Sequence, residues 1–191
     1  MPISYRLKDG QHAHDLAMYK KADTPGTEPA RRRLAALFWD FCRRHIACVK
    51  SAAEIASFTH VCFVPSTRSP HGEHPLQRML APAIPLPRVP LHVNPDVSPE
   101  RRFDASWFEA HPEDLAGVPA ADVLLIDDTW VTGSRMQSAA HSLKRAGARR
   151  VASLVLARQL SPGFAPARQL IAEVQQTRFD PDTCVVHHRS R

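Results

Sequence analysis

The chain has 191 residues, 43% hydrophobic and 23% charged, which is an ordinary composition for one globular domain with a sizeable buried core. No apolar run approaches the roughly 20 residues of a membrane span, and the charged N-terminal residues do not resemble a signal peptide, so we expect a cytoplasmic protein without membrane contact. Four scattered cysteines indicate neither a zinc site nor a disulfide framework, and the net charge of +6 favours an anionic ligand or partner.

The first 57 residues are predicted to be polar at the start and helical afterwards. Residues 24–29 (TPGTEP) are typical of a turn or linker. Between Arg31 and Ile55, apolar residues recur at roughly helical spacing and predict one long helix or two. The arginines of this segment are interpreted as a solvated helix face, although they are also compatible with nucleic-acid binding.

A short strand and a proline-rich segment follow the helical region. Residues 60–64 (HVCFV) are rich in β-branched and aromatic residues and are stopped by Pro65, which predicts a buried strand. Most prolines fall between Pro70 and Pro119, and this density excludes long helices and central strands. We expect a long loop there, with a short helix near residues 76–80 and an edge hairpin.

From residue 120 onward, the pattern predicts a strand, a helix and a second strand. Residues 122–126 and 150–157 are apolar strand segments, and residues 134–146 form a helix that Gly147 ends. A strand–helix–strand unit of this length implies parallel strands with a right-handed crossover, and therefore an α/β fold. Two further elements are predicted near the C-terminus, a helix over 165–175 and a short strand over 183–186.

The segment that points most directly to a function is residues 123–135 (VLLIDDTWVTGSR). Its apolar strand is predicted to end at two carboxylates, Asp127 and Asp128, and a small polar loop then leads into the helix. Ligands of open α/β sheets bind at the carboxyl ends of strands, and a helix N-terminus offers unpaired N–H groups to a phosphate. Carboxylates one loop away from such a cradle suit a phosphorylated ribose. The simpler alternative is a strand whose two acids only cap the next helix.

This segment resembles the phosphoribosyl-pyrophosphate (PRPP) motif of the type I phosphoribosyltransferases: four hydrophobic residues, two acids, two variable positions and a Thr/Gly-rich loop. The resemblance covers roughly residues 58–160 and implies a single-domain type I phosphoribosyltransferase-like α/β fold, with a central, mainly parallel sheet flanked by helices. It implies that Asp127 and Asp128 are the catalytic acids and hold the ribose 2′- and 3′-hydroxyls. The PRPP-binding residues that it implies are Asp127, Asp128, Thr129, Val131, Thr132, Gly133, Ser134 and Arg135.

The segment departs from the family pattern in and before its loop. Thr129 and Trp130 stand where aliphatic residues are usual, and Val131 stands where some purine enzymes have an acid. Two of the usual loop hydroxyls are missing, although Ser134 supplies a donor and Arg135 supplies a charge. We therefore expect phosphate binding to be retained, and we assign no general base.

A second segment matches the family by position and chemistry. A small polar loop follows the strand at residues 60–64, and the resemblance implies that Ser66, Thr67 and Arg68 bind the pyrophosphate. A plain polar turn is the alternative. The proline-rich stretch falls where the family has its flexible catalytic loop. Residues 1–57 would form a small N-terminal hood and residues 58–191 the core, together one compact domain.

The resemblance implies transfer of a 5-phosphoribosyl group from PRPP to a nitrogen nucleophile, with release of pyrophosphate, in nucleotide metabolism. Magnesium is the expected cofactor, held mainly by oxygens of PRPP and by water. The nucleophile is not identified, and a homodimer is possible. The chain looks closest to uncharacterised and competence-associated phosphoribosyltransferase-like proteins. The alternative is a non-catalytic PRPP sensor, or a competence-type accessory protein that acts with DNA-handling machinery, although nucleic acid is not the favoured partner.

Overall fold

The computed structural model describes residues 1–8, 10–21, 24–66, 73–97, 102–117 and 120–188. Within these ranges the strands are β1 (Pro2–Arg6), β2 (His60–Phe63), β3 (His92–Val93), β4 (Phe108–Glu109), β5 (Asp122–Trp130) and β6 (Arg150–Gln159). The helices are α1 (Gln11–Met18), α2 (Thr27–Ala52), α3 (Pro75–Leu80), α4 (Ser134–Arg145), α5 (Arg168–Gln176) and α6 (Val185–His188).

Four of the strands form one sheet in the order β1-β6-β5-β2. β1 pairs in parallel with β6, with Ser4 opposite Ala157, and β2 pairs in parallel with β5, with Phe63 opposite Ile126. Helix α4 lies in the chain between β5 and β6, as the strand–helix–strand pattern predicts. The predicted fold class, α/β with a central, mainly parallel sheet flanked by helices, is confirmed.

The chain divides into two compact units. Unit one comprises Met1, Cys48–Asp127 and Thr132–Leu154, and unit two comprises Pro2–Ala47, Asp128–Val131 and Val155–Arg191. The predicted division into a hood over 1–57 and a core over 58–191 stays a prediction. Among the described residues, no helix combines the length and the apolar character that a membrane crossing requires.

In unit one, β2 and the first part of β5 are buried along their whole length, as their continuous apolar sequence predicts. The proline-rich segment covers the outer edge of β2, because Val61 N donates to Pro87 O at 3.0 Å and Val89 N donates to Val61 O at 2.9 Å. Proline is tolerated at such an edge, where its missing N–H removes no central ladder bond. The predicted short helix is confirmed as α3, and the antiparallel pair β3–β4 stands where the edge hairpin is predicted.

In unit two, the N-terminal residues form elements that the sequence does not predict. Strand β1 is joined to β6 by Ser4, whose Oγ donates to Leu156 O at 2.8 Å. Helix α1 is joined to β1, because His12 Nε2 and Ser4 Oγ lie 2.8 Å apart. The side chain of Arg33, on α2, binds both carboxylate oxygens of Asp15, on α1, at 2.7 and 2.8 Å. These polar contacts order a segment whose own sequence shows no strong periodicity.

Near the C-terminus, one predicted element is confirmed and one is wrong. The predicted helix over 165–175 is a short 3₁₀ turn followed by α5. The predicted strand over 183–186 is not formed; Thr183 and Cys184 precede α6, and Val185 and Val186 are its first residues. Thr183 N and Thr183 Oγ1 both donate to Asp180, at 3.3 and 2.7 Å, and this turn precedes the helix. The local hydrogen bonds therefore outweigh the strand preference of the β-branched residues there.

Candidate ligand-binding site

Strand β5 is longer than predicted and contains both acids of the candidate site. It continues from Asp122 to Trp130, whereas the sequence predicts an end at Ile126. Asp127 and Asp128, which are predicted to stand at the end of the strand, therefore lie inside it, and each is 3% exposed. Thr129 and Trp130, the residues that depart from the family pattern, favour extended backbone and continue the strand.

In unit one, the end of β2 pairs with β5 at Ile126, next to Asp127. Val64 N donates to Ile126 O at 3.0 Å, so the residues after β2 run beside Asp127. Ser66 lies three residues after the end of β2 and is half-buried. The carboxyl ends of the strands are where open α/β sheets bind ligands. Thr67 and Arg68, the other predicted pyrophosphate ligands, lie outside the described residues.

The loop before α4 has the geometry of an anion cradle. Gly133 adopts φ 85° and ψ −7°, a left-handed conformation that glycine takes without strain, and it lacks a side chain that would cap the helix. The hydroxyls of Thr132 and Ser134 lie 2.8 Å apart, and Ser134 N donates to Thr132 Oγ1 at 3.4 Å. The 12-residue helix α4 therefore begins with backbone donors and two hydroxyls close together.

Arg135 is a cation at this cradle whose hydrogen-bonding capacity is only partly used. Its Nη2 donates to Pro65 O at 2.6 Å, which ties the first turn of α4 to the end of β2. Its Nε is buried without a hydrogen-bond partner, and no carboxylate among the described residues pairs with it. A guanidinium has five donors, and a buried donor without an acceptor is costly. An anionic ligand would supply the acceptor.

In unit two, Asp128 accepts hydrogen bonds from two residues near the end of α1. Tyr19 Oη donates to Asp128 Oδ2 at 2.5 Å, and Lys20 Nζ forms an ion pair with the same oxygen. Sequence reasoning missed Tyr19 and Lys20. No signal there could have identified them, because they stand in a polar segment 109 and 108 residues before Asp128 (128 − 19 and 128 − 20).

The remaining predicted residues have no side-chain contacts that assign a role. Thr129 is half-buried in β5, and Val131 is 49% exposed just after the strand. The structure thus places Asp127, Ser66 and residues 132–135 in unit one, and Asp128, Thr129 and Val131 in unit two.

The buried thiol on β2 is not suited to nucleophilic chemistry. Cys62 is fully buried beside Leu125, and burial raises the pKa of its thiol far above the usual range. The thiolate is the reactive form, so Cys62 is inert at neutral pH. At the start of the same strand, burial lowers the pKa of His60 and favours the neutral imidazole.

No family model matches this chain, and no curated protein matches it significantly. Among solved structures, adenine phosphoribosyltransferase from Saccharomyces cerevisiae, complexed with an imino-altritol bisphosphate and adenine, is 18% identical. The match covers 73% of this chain and 77% of that chain, with a TM-score of 0.45. A second adenine phosphoribosyltransferase is 15% identical over 83% of this chain and 94% of that chain, also with a TM-score of 0.45.

The enzyme of the same name from Trypanosoma brucei, in complex with AMP, pyrophosphate and ribose-5-phosphate, is 14% identical. The match covers 83% of this chain and 84% of that chain, with a TM-score of 0.44. These similarities are low in sequence and in structure. The function proposed below therefore depends on the residues of this chain.

Proposed function

We propose that this protein is a PRPP-binding phosphoribosyltransferase, which transfers a 5-phosphoribosyl group to a nitrogen nucleophile in nucleotide metabolism. The observation that carries the proposal is Arg135, a cation with a buried, unpartnered Nε at the start of α4. The left-handed Gly133 and the paired hydroxyls of Thr132 and Ser134 precede it. This set of donors supports the binding of a phosphate ester.

The role proposed for each residue follows its position in the PRPP-like motif and is compatible with its chemistry. Thr132, Gly133, Ser134 and Arg135 bind the 5′-phosphate, with Thr129 and Val131 completing the backbone of the segment. Asp127 and Asp128 accept hydrogen bonds from the ribose hydroxyls, since carboxylates are strong acceptors. The pyrophosphate group lies at the end of β2, where Ser66, Thr67 and Arg68 bind it.

The residues of the candidate site fit a magnesium ion that arrives with the substrate. Asp127 and Asp128 both offer hard carboxylate oxygens, and Lys20 pairs with Asp128. Such a site would add one or two protein oxygens to those of the diphosphate and of water. When bound, the ion would neutralise the negative charge that develops on the leaving pyrophosphate.

The reaction requires positioning and charge stabilisation more than proton transfer by the protein. The bond between ribose C1 and the pyrophosphate oxygen breaks, and a bond between C1 and the nitrogen of the nucleophile forms. The pyrophosphate leaves with the bonding electron pair, and the nucleophile loses its proton to solvent. The phosphate cradle and the acids hold the ribose in place, which lowers the barrier by orientation.

The alternative is a protein that binds PRPP without turnover, and the exposed Val131 favours it by leaving this position without a base. A role with DNA has less support, because the arginines of α2 contact groups of the same chain. Arg33 binds Asp15, and Arg43 and Arg44 bind Asp40. These contacts occupy much of the basic surface that nucleic acid would need.

The proposal predicts that Arg135→Met weakens PRPP binding by about 10- to 100-fold, the effect of losing one charge-assisted hydrogen bond. Arg145→Met is the matched control, because Arg145 is exposed in the last turn of the same helix. Calorimetric titration with PRPP, with and without Mg²⁺, measures both affinities. Failure of the wild type to bind PRPP, or equal losses in the two variants, would overturn the proposal.

The proposal also predicts that loss of an acid lowers the affinity for PRPP in the same titration. Asp127→Asn weakens PRPP binding by about tenfold, because an amide accepts hydroxyl hydrogen bonds less well than a carboxylate. Since Asp127 is buried, a thermal melt of each variant checks that it remains folded. Pyrophosphate release with a panel of nitrogen bases then separates an enzyme from a sensor, which would bind PRPP and release none.

A further inference from the structure

Three side chains in unit two form a compact polar cluster around Asp128. Tyr19 is fully buried, and its hydroxyl donates to Asp128 Oδ2 at 2.5 Å. Lys20 pairs with the same oxygen, and its Nζ also lies 5.6 Å from the centroid of the Tyr19 ring. The lysine side chain is 44% exposed, whereas that of Asp128 is 4% exposed. The donors of Tyr19 and Lys20 thus converge on one carboxylate oxygen.

The backbone that carries Tyr19 and Lys20 is held from both sides. Tyr19 N donates to Asp15 O at 3.0 Å and closes the last turn of α1. The guanidinium of Arg31, on α2, donates to Tyr19 O at 3.4 Å and to Lys21 O at 3.3 Å. These bonds satisfy carbonyls at the C-terminal end of α1, where a cation is favoured. The Tyr19 hydroxyl is therefore presented to Asp128 from a fixed position.

A buried carboxylate is costly unless a charge or donors compensate it, and its side-chain torsion is free unless a contact fixes it. Tyr19 and Lys20 provide both functions through Oδ2. From this we infer that Tyr19 and Lys20 are positioning residues, which fix and charge-compensate Asp128 so that it meets the ribose hydroxyls of the ligand. The inference rests on the proposed function, in which Asp128 binds those hydroxyls.

If Asp128 binds hydroxyls, the ligand needs hydroxyl groups as well as a phosphate, whereas the phosphate cradle alone requires only the phosphate. A phosphate monoester without hydroxyls would use residues 132–135 and gain nothing from the orientation of Asp128. A phosphorylated sugar would use both. Loss of Tyr19 or Lys20 should therefore lower the affinity for ribose phosphates and leave the affinity for other phosphate esters unchanged. If these residues had a purely structural role, their loss would lower both affinities equally.

The test compares the affinities of ribose 5-phosphate and pentyl phosphate, two monoesters of the same charge, for six proteins. These are the wild type, Tyr19→Phe, Lys20→Met, Lys20→Arg and the matched controls Tyr5→Phe and Lys21→Met. Tyr19→Phe and Lys20→Met are expected to bind ribose 5-phosphate about tenfold more weakly and pentyl phosphate unchanged. Both controls should match the wild type. Lys20→Arg, which keeps the charge, should restore most of the lost affinity.

The outcomes separate this inference from the function on which it rests. A wild type that binds neither ester overturns the proposed phosphate site, and the inference with it. A wild type that binds both, with variants that lose both ligands equally or lose neither, overturns the inference alone. Lys20 is partly exposed, so Lys20→Met decides the question even where Tyr19→Phe lowers the melting temperature.

Discussion

At the scale of single residues, buried carboxylates in this chain are met by specific donors. Asp122, at the start of β5, is 2% exposed and accepts from Arg149 Nε at 3.0 Å, while Arg149 Nη2 contacts its other oxygen. The hydrogen bonds from Arg149 hold the pKa of Asp122 below its usual range, against the effect of burial. Asp122 and Asp128, both in β5, are thus buried carboxylates that each accept from cationic or hydroxyl donors elsewhere in the chain.

The Asp122–Arg149 pair predicts a pH-dependent loss of stability. Because the folded-state pKa lies below the unfolded value of about 3.9, the pair stabilises the fold above that pH and ceases to do so as the pH falls through the folded-state pKa. Arg149→Met should therefore lower the free energy of unfolding most near neutral pH, and its difference from the wild type should shrink below about pH 4.

Urea denaturation at a series of pH values measures this difference. Arg150→Met is the control, because Arg150 pairs with Glu54, whose side chain is 79% exposed. An exposed pair contributes little to stability, so this variant should stay close to the wild type. A difference for Arg149→Met that is the same at every pH would contradict the role given to the pair.

At the scale of elements, the ends of α4 show why its bounds are predictable. Gly133 precedes the helix and Gly147 follows it, both with positive φ, 85° and 110°. After the helix, Ala148 N donates to Leu143 O at 3.0 Å and Gly147 N donates to Lys144 O at 3.2 Å. The chain can leave the helix in this way only where a residue tolerates positive φ. Glycine at that position is a local signal, visible without the fold.

Gly147→Ala should lower the free energy of unfolding by about 1–2 kcal/mol, the cost of placing a Cβ in a left-handed conformation. No atom lies within 4 Å of the added Cβ, so the strain is in the backbone alone. Gly163→Ala is the matched control: its site is equally open and its φ is not in the positive range. Thermal unfolding should show the control unchanged or slightly stabilised, and equal losses would contradict the backbone explanation.

At the scale of the whole molecule, stability comes from buried apolar side chains in each compact unit. Leu125 and Val61 are fully buried in unit one, and Tyr19, Leu34 and Phe38 are at most 1% exposed in unit two. Phe38 also makes an edge contact with Trp39, with ring centroids 5.1 Å apart. Each unit therefore has its own buried apolar side chains.

Phe38→Ala should lower the free energy of unfolding by about 3–5 kcal/mol, through lost burial and the cavity left behind. Phe179→Ala removes the same side chain from a position that is 59% exposed and should change stability by less than about 0.5 kcal/mol. Denaturant titration of the two variants measures the contrast. Similar effects would mean that Phe38 is not part of a close-packed core.

The amino-acid sequence alone determined those elements whose signals are local. Apolar runs identify β2, β5 and β6, glycines and periodicity identify α4, and the acid pair with its Thr-Gly-Ser loop identifies the candidate phosphate cradle. In each case, the residues that carry the signal lie within a few turns or one strand of each other. The resemblance to the PRPP motif is also a local signal, because the strand, the two acids and the loop follow one another within residues 123–135.

Only the tertiary structure decided the features that join distant parts of the chain. β1 acquires its conformation from β6, across the 152 positions that separate Ser4 from Leu156, and the acids lie in a continued β5 rather than in a loop. Tyr19 and Lys20 reach Asp128 because α1 is held by side chains of β1 and α2. Such contacts depend on which surfaces are buried together, and no spacing along the sequence encodes them.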